Sequence, residues 1–217
     1  MKTIDTGGIT WIEPVPGGTS EWYYGIGPDS SDAYDAEKLY RAGERVAGNE
    51  ICLIHYPDGA VYKPVPRSEG THTGKPVFLD GAVYFLNVDF KADVMRILRF
   101  GCAGHEVTEI TALPLAGVKN CWNLALHSSP LCLTRQGNDG VFEIVWPEKV
   151  SFALHPHEGF FLREGNRLYF SKWYEEGEGA DYRYWEETIV RDLAGSRVEV
   201  LRGEVFVMPN GEMWHLQ

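Results

Sequence analysis

The feature that most constrains this chain is a stretch that is written twice. Ile51-Cys52-Leu53, a turn at Pro57-Asp58-Gly59 and Val61-Tyr62 reappear as Leu131-Cys132-Leu133, Asn138-Asp139-Gly140 and Val141-Phe142. Val77-Phe78-Leu79-Asp80-Gly81 followed by Val83-Tyr84-Phe85 returns as Phe160-Phe161-Leu162-Arg163-Glu164-Gly165 followed by Leu168-Tyr169-Phe170. The copies are offset by 80 to 85 residues and stay in step across two hairpins. A repeat at a nearly fixed period is a statement about architecture, because each copy must pack on its neighbour in a similar way. It carries no chemistry of its own.

Around the repeat, short apolar runs alternate with Gly, Pro, Asn and Asp turns roughly every 8 to 12 residues, which predicts an all-β chain. In residues 83–90, Leu86, Val88 and Phe90 fall on one face and Asn87 and Asp89 on the other, the period of a strand. The high aromatic content, 13% of residues, suits the space between sheets. One helix is expected over 33–42, with Asp32 as its N-cap and Gly43 as its stop.

The period holds two four-stranded units of about 40 residues, the length of a propeller blade. The whole chain of 217 residues then divides into five. Residues 77–113, 122–154 and 160–201 make three blades, and the first 75 residues with the last 14 make two more. Strands within 205–216 are expected to complete a sheet with the N-terminal strands, closing one domain over 1–217 and hiding exposed edges. In this the chain resembles β-propeller repeats in general, and the expectation is a five-bladed β-propeller. No WD dipeptide ends a blade and no double-glycine kelch signature is present, so the resemblance implies an architecture and no activity. A duplicated β-sandwich or barrel is the alternative.

The formal net charge of −11 disfavours attraction to nucleic-acid phosphates or to an anionic membrane. No run of 18 apolar residues offers a membrane-spanning helix, and the first residues lack the apolar core of a signal peptide. Cys52, Cys102, Cys121 and Cys132 are too few for a disulfide framework and read as free, mostly buried thiols in a reducing cytoplasm. Cys52 and Cys132 are expected at equivalent inner positions of two different sheets, unbonded to each other.

Candidate site residues come from two patterns. Where the copies differ by polar residues within a strand, no packing rule demanded them: His55 faces Arg135, and Asp89 faces Tyr174. The segment from Glu21 to Asp35 is densest in aromatics and carboxylates and departs most from the repeat. Trp22, Tyr24 and Asp32 are therefore expected near the largest polar cleft, with His55, Asp89 or Arg135 reaching it from the strands. Asp29, Asp32 and Asp35 could together hold a hard cation.

A glycosidase needs two carboxyl groups about 5 to 9.5 Å apart, and Asp32, Asp89 and Glu148 are the ones on offer. Cys102 with His105, and His155 with His157, are each half of a zinc site without a second pair. His127 beside Ser128-Ser129 lacks a G-x-S-x-G elbow, and adjacent strand residues point to opposite faces. Gly25-Ile26-Gly27 lacks a strand–helix crossover and does not read as a nucleotide loop. The chain is thus expected to be a cytoplasmic binding module for a small polar ligand or a protein partner. No cofactor or metal and neither nucleic acid nor membrane is called for. A glycosidase-like or other carboxylate-using hydrolase on the same frame is the alternative.

Overall fold

The computed structural model describes residues 1–27, 32–208 and 212–216. It is all-β, built of several small antiparallel sheets. The first sheet contains β1 (Glu13–Pro14), β2 (Trp22–Ile26), β3 (Ile51–His55) and β4 (Val61–Tyr62), with the helix α1 (Ala33–Arg41) inserted between β2 and β3. The second contains β5 (Thr71–Thr73), β6 (Val77–Leu79), β7 (Ala82–Asp89), β8 (Val94–Gly101) and β9 (Val107–Pro114). The third is β10 (Leu124–Ser128), β11 (Leu131–Gln136), β12 (Val141–Trp146) and β13 (Val150–Ala153). The fourth is β14 (Glu158–Glu164), β15 (Arg167–Glu176), β16 (Arg183–Arg191) and β17 (Arg197–Arg202), and β18 (Glu204–Val207) pairs with β19 (Met213–Leu216). The sheet boundaries expected at 77–113, 122–154 and 160–201 lie within a few residues of the second, third and fourth sheets.

Period-two alternation lets one strand serve two interfaces. On β7, Val83 and Phe85 pack toward the first sheet with Trp22, Tyr24, Ile51 and Leu53, and Leu86 and Val88 pack toward the third with Leu126 and Leu133. On β11, Leu133 faces the second sheet and Cys132 faces the fourth, among Phe142, Phe170 and Ile189. The sheets therefore stack face to face in chain order. The helix caps one rim of this stack. Asp32 is its N-cap, accepting from the Asp35 N–H at 2.7 Å, and Gly43 follows it at φ +75°. Ala33 and Ala36 enter the core between the second and third sheets, and Glu37 accepts from the Cys121 N–H at 2.6 Å.

The repeat maps onto this frame with an offset. Its second hairpin is the leading hairpin of a sheet in both copies, β6–β7 and β14–β15. Its first hairpin is the last pair of the first sheet, β3–β4, but the middle pair of the third, β11–β12. Cys52 and Cys132 are both buried, free and on different sheets, yet their positions are not equivalent. Cys52 faces the outer side of the first sheet with Ile9 and Ile54, and Cys132 faces the following sheet.

The C-terminal strands also differ from expectation. β18 and β19 form a sheet of their own rather than completing that of β1–β4. The hairpin is held against β16 through Gly203, whose N–H donates to the Glu186 carbonyl at 3.0 Å. Phe206, Trp214 and Leu216 are exposed, because a lone two-stranded ribbon buries neither face.

Candidate functional site

The leading strands of the sheets are irregular, and their irregularities converge. β1 is two residues long and runs into Pro16-Gly17-Gly18. The leading strand of the second sheet is broken in two: β5 and β6 both pair antiparallel with β7, and Gly74-Lys75-Pro76 separates them. β10 ends at Ser128 before Ser129-Pro130, and β14 carries a register shift between Phe160 and Leu162 that bulges Phe161. Such breaks re-aim side chains out of the ladder. Here Val15, Gly74, Lys75, Ser128 and Phe161 all line one cavity of about 1450 Å³, which Val207 and Met208 at the end of β18 also border.

The wall between the first two sheets depends on a glycine. Gly17 sits at φ +118°, and a β-carbon there would collide with the Phe78 carbonyl oxygen. This close approach lets the Phe78 N–H donate to the Pro16 carbonyl at 2.6 Å, fixing the 14–20 loop on β6. A second tie is polar. Asn49 donates to the Thr73 carbonyl at 2.7 Å and accepts from the Thr73 N–H at 2.8 Å, so its amide substitutes for a strand neighbour beside β5.

Several lining groups keep hydrogen-bonding capacity. His72 on β5 is 7% exposed, and its ring has no hydrogen-bond partner among the described residues. Burial pulls its imidazole down to about 4, outweighing the nearby Asp32 carboxylate, which acts in the opposite sense. His127 is likewise held at about 4 by burial. One of its nitrogens meets the Thr134 hydroxyl at 2.9 Å, and its ring packs edge-on against Phe160. Both imidazoles are therefore neutral near pH 7. Ser128, Ser129 and Lys75 add hydroxyls and an ammonium to the same walls. Arg163 also lines the cavity, but its guanidinium is engaged by Glu148 at 2.5 Å and by the Gly165 carbonyl at 2.8 Å.

Of the residues singled out in the sequence, Asp32 reaches this cavity. Trp22 and Tyr24 are 4% and 3% exposed and belong to the core between the first two sheets. Tyr23, between them, points the other way, packing on the outer cluster of Ile9, Cys52 and Ile54, and also borders the cavity. His55 packs on Trp22 and pairs with Asp58 at 3.0 Å, away from the lining. Asp89 pairs with Arg96 at 3.3 Å and caps the turn to β8 through the Ala92 N–H. Arg135 is 1% exposed, bound by Glu143 at 2.7 Å, Asp139 at 3.3 Å and Asn120. These five are not assembled with Asp32 at the cavity.

The three carboxylates proposed for glycosidic chemistry are also dispersed. Asp32 lines the cavity, Asp89 is held by Arg96 and Glu148 by Arg163. Asp29 lies outside the described residues, and Asp35 pairs with Lys38 at 2.5 Å. No group of three or more His, Cys, Asp or Glu residues suited to a metal occurs among the described residues. Burial pushes the Cys102 and Cys132 thiols up to about 11, which leaves them poor nucleophiles.

His72 and Lys75 sit in a stretch that reads from sequence as a polar loop. The available signal was Gly74-Lys75-Pro76 directly after the β-favouring Thr71-His72-Thr73, the punctuation of an interrupted strand. No family model, curated protein or solved structure matches this chain. What the site does must be argued from its own groups. They can accept and donate several hydrogen bonds to a polar molecule, and they present one ammonium without an ion-pair partner among the described residues.

Proposed function

We propose that this protein is a binding module, a cytoplasmic five-bladed β-propeller whose central cavity takes a small polar ligand. The observation that carries the reading is His72: a largely buried imidazole facing a cavity, with no partner for its nitrogens among the described residues. Its nitrogens are therefore open to bond a polar molecule in the cavity as donor and acceptor. The cavity also combines apolar walls, from Val77, Leu124 and Leu126, with a few convergent polar groups, the usual make-up of a ligand site.

The propeller part of the reading has its own support. Four successive meander sheets present their leading strands to one cavity, their faces packed in chain order. The C-terminal hairpin then occupies the fifth place, with Val207 and Met208 at the same cavity. The free cysteines agree with a reducing compartment.

The test is a thermal-shift screen against sugars, sugar acids, nucleotides and divalent metals, run in parallel on Ala125→Trp. Ala125 is an exposed residue of β10 on the cavity wall, so an indole there fills space without opening the core. A ligand at about 100 times its Kd should raise the melting temperature of the wild type by roughly 5 °C or more. The same ligand should leave Ala125→Trp unmoved. Shifts that survive in the filled variant would place binding elsewhere and overturn the reading.

A further inference from the structure

The charges that line the cavity differ in how fully they are used, and this difference names a ligand class. The deduction rests on the cavity being the binding site. Asp32 is the lining carboxylate among the described residues, and it is committed to the Asp35 N–H at the N-terminus of α1, where the helix dipole already favours it. Arg163 is committed to Glu148 and Gly165. Lys75 is not committed. The break between β5 and β6 turns it outward, between buried Thr73 and buried Pro76, and it has no ion-pair partner among the described residues. It acts only at a distance on Glu13, whose carboxylate is taken by the Tyr24 hydroxyl at 2.8 Å and the Trp11 indole at 3.3 Å.

The cavity thus offers one unspent cation beside neutral hydrogen-bonding groups: the His72 imidazole, the free nitrogen of His127, and the hydroxyls of Ser128 and Ser129. We propose that the ligand is a small hydroxylated carboxylate, a sugar acid or hydroxy acid. Its carboxylate meets Lys75 and its hydroxyls bond to His72, Ser128 and Ser129. A cationic ligand would find Lys75 opposing it and would share the Asp32 carboxylate with the helix cap. A phosphate dianion calls for several charged donors, and Lys75 alone is free to supply that charge. A monoanion with several hydroxyls matches both halves of the wall. Near neutral pH the imidazoles stay uncharged, so they recognise hydroxyl groups as donor and acceptor and do not compete for the carboxylate.

A matched series separates the possibilities: D-glucuronate, D-glucose, D-glucosamine and D-glucose 6-phosphate, which keep one ring and vary its charge. Their binding to the full chain is measured by titration calorimetry at low and moderate salt. Glucuronate should bind at least about tenfold more tightly than glucose, the scale of one charge-assisted contact, and should weaken as salt rises. Lys75→Gln should abolish that preference, and Lys75→Arg should retain it. Equal binding of glucose, tighter binding of glucosamine or the phosphate, a preference unchanged in Lys75→Gln, or no binding by any of the four would each overturn the assignment. The failure stays distinct from that of the site. A ligand of another class, found by the thermal screen and blocked by Ala125→Trp, would leave the cavity standing and remove only the sugar acid.

Discussion

Two sets of polar groups in this molecule are built in opposite ways. At the rim of the fourth sheet, Arg191 on β16 and Glu158 on β14 are 5% and 5% exposed and form a bidentate pair at 2.8 to 3.1 Å, with a further bond from Arg191 to the Gly195 carbonyl at 2.6 Å. Arg135 is enclosed the same way by Glu143, Asp139 and Asn120, and Asp139 is pulled down to about 2 by Lys119 and Arg135. These groups are saturated by partners from the chain itself. Among the described residues, the cavity wall presents His72 without a hydrogen-bond partner and Lys75 without an ion pair. Saturation marks scaffold, because a group whose bonds are all made internally has nothing left to offer a ligand. Unsaturated groups on a rigid frame mark recognition.

The sharpest way to break this distinction is to remove one half of a saturated pair. Arg191→Met should leave the Glu158 carboxylate buried and unpaired, at a cost of roughly 3–5 kcal/mol. Denaturant unfolding should show that loss, and adding Glu158→Leu should restore most of it by removing the stranded charge. Lys75→Gln, by contrast, should change stability by less than about 0.5 kcal/mol, as surface substitutions away from special features do. Equal losses in Arg191→Met and Lys75→Gln would erase the difference between the two regions.

The second test concerns the unsaturated set alone and uses pH. His72 is held at about 4 in the fold, against 6.5 in the unfolded chain. Between those values the unfolded chain binds the proton more readily, so stability is full above pH 6.5, falls as the pH drops toward 4, and changes no further below it. For His72 that loss is about 3 kcal/mol at its full extent. His127 acts in the same direction. His72→Phe should remove its own share of this fall and leave that of His127, without affecting the response of carboxylates below it. An unchanged profile would mean that the imidazole is not desolvated as the cavity wall requires.

The sheets were legible in the sequence for a definite reason. Turn residues bracket each apolar run, and alternation in residues 83–90 sorted Leu86, Val88 and Phe90 onto one side, where they pack together toward the third sheet. The helix was legible from Asp32 and Gly43. The site was much less so. Comparing the two copies assumed that equal sequence positions hold equal places in a sheet, but β3 is a third strand and β11 a second. The polar exchanges at His55 and Arg135 therefore reflect different local pairings, with Asp58 and with Glu143, and not a shared channel. Trp22 and Tyr24 misdirect for another reason: aromatics with a polar handle serve equally well in a core, where the Tyr24 hydroxyl donates a hydrogen bond to Glu13. What places most of the side chains at the cavity is membership of a leading strand or of the break in it. That depends on which strands join which sheet, and short-range pattern does not encode it.

Asp32 belongs to both regions, and the smallest expected effect tests it. One oxygen accepts the Asp35 N–H as a helix cap, and the side chain also borders the cavity within electrostatic reach of His72. The two roles separate by substitution. Asparagine caps a helix about as well as aspartate, so Asp32→Asn should keep the melting temperature at neutral pH nearly unchanged. Asp32→Ala removes the acceptor and should cost about 1 kcal/mol. Both variants delete the negative charge that opposes the desolvation of His72, so in both the imidazole should titrate at still lower pH, as followed by the ring-proton resonances in NMR. If Asp32→Asn destabilises as much as Asp32→Ala, the carboxylate charge and not the cap is what α1 requires. If His72 titrates as in the wild type in both, the aspartate belongs to the scaffold alone, and the cavity wall loses its one residue that the sequence had pointed to.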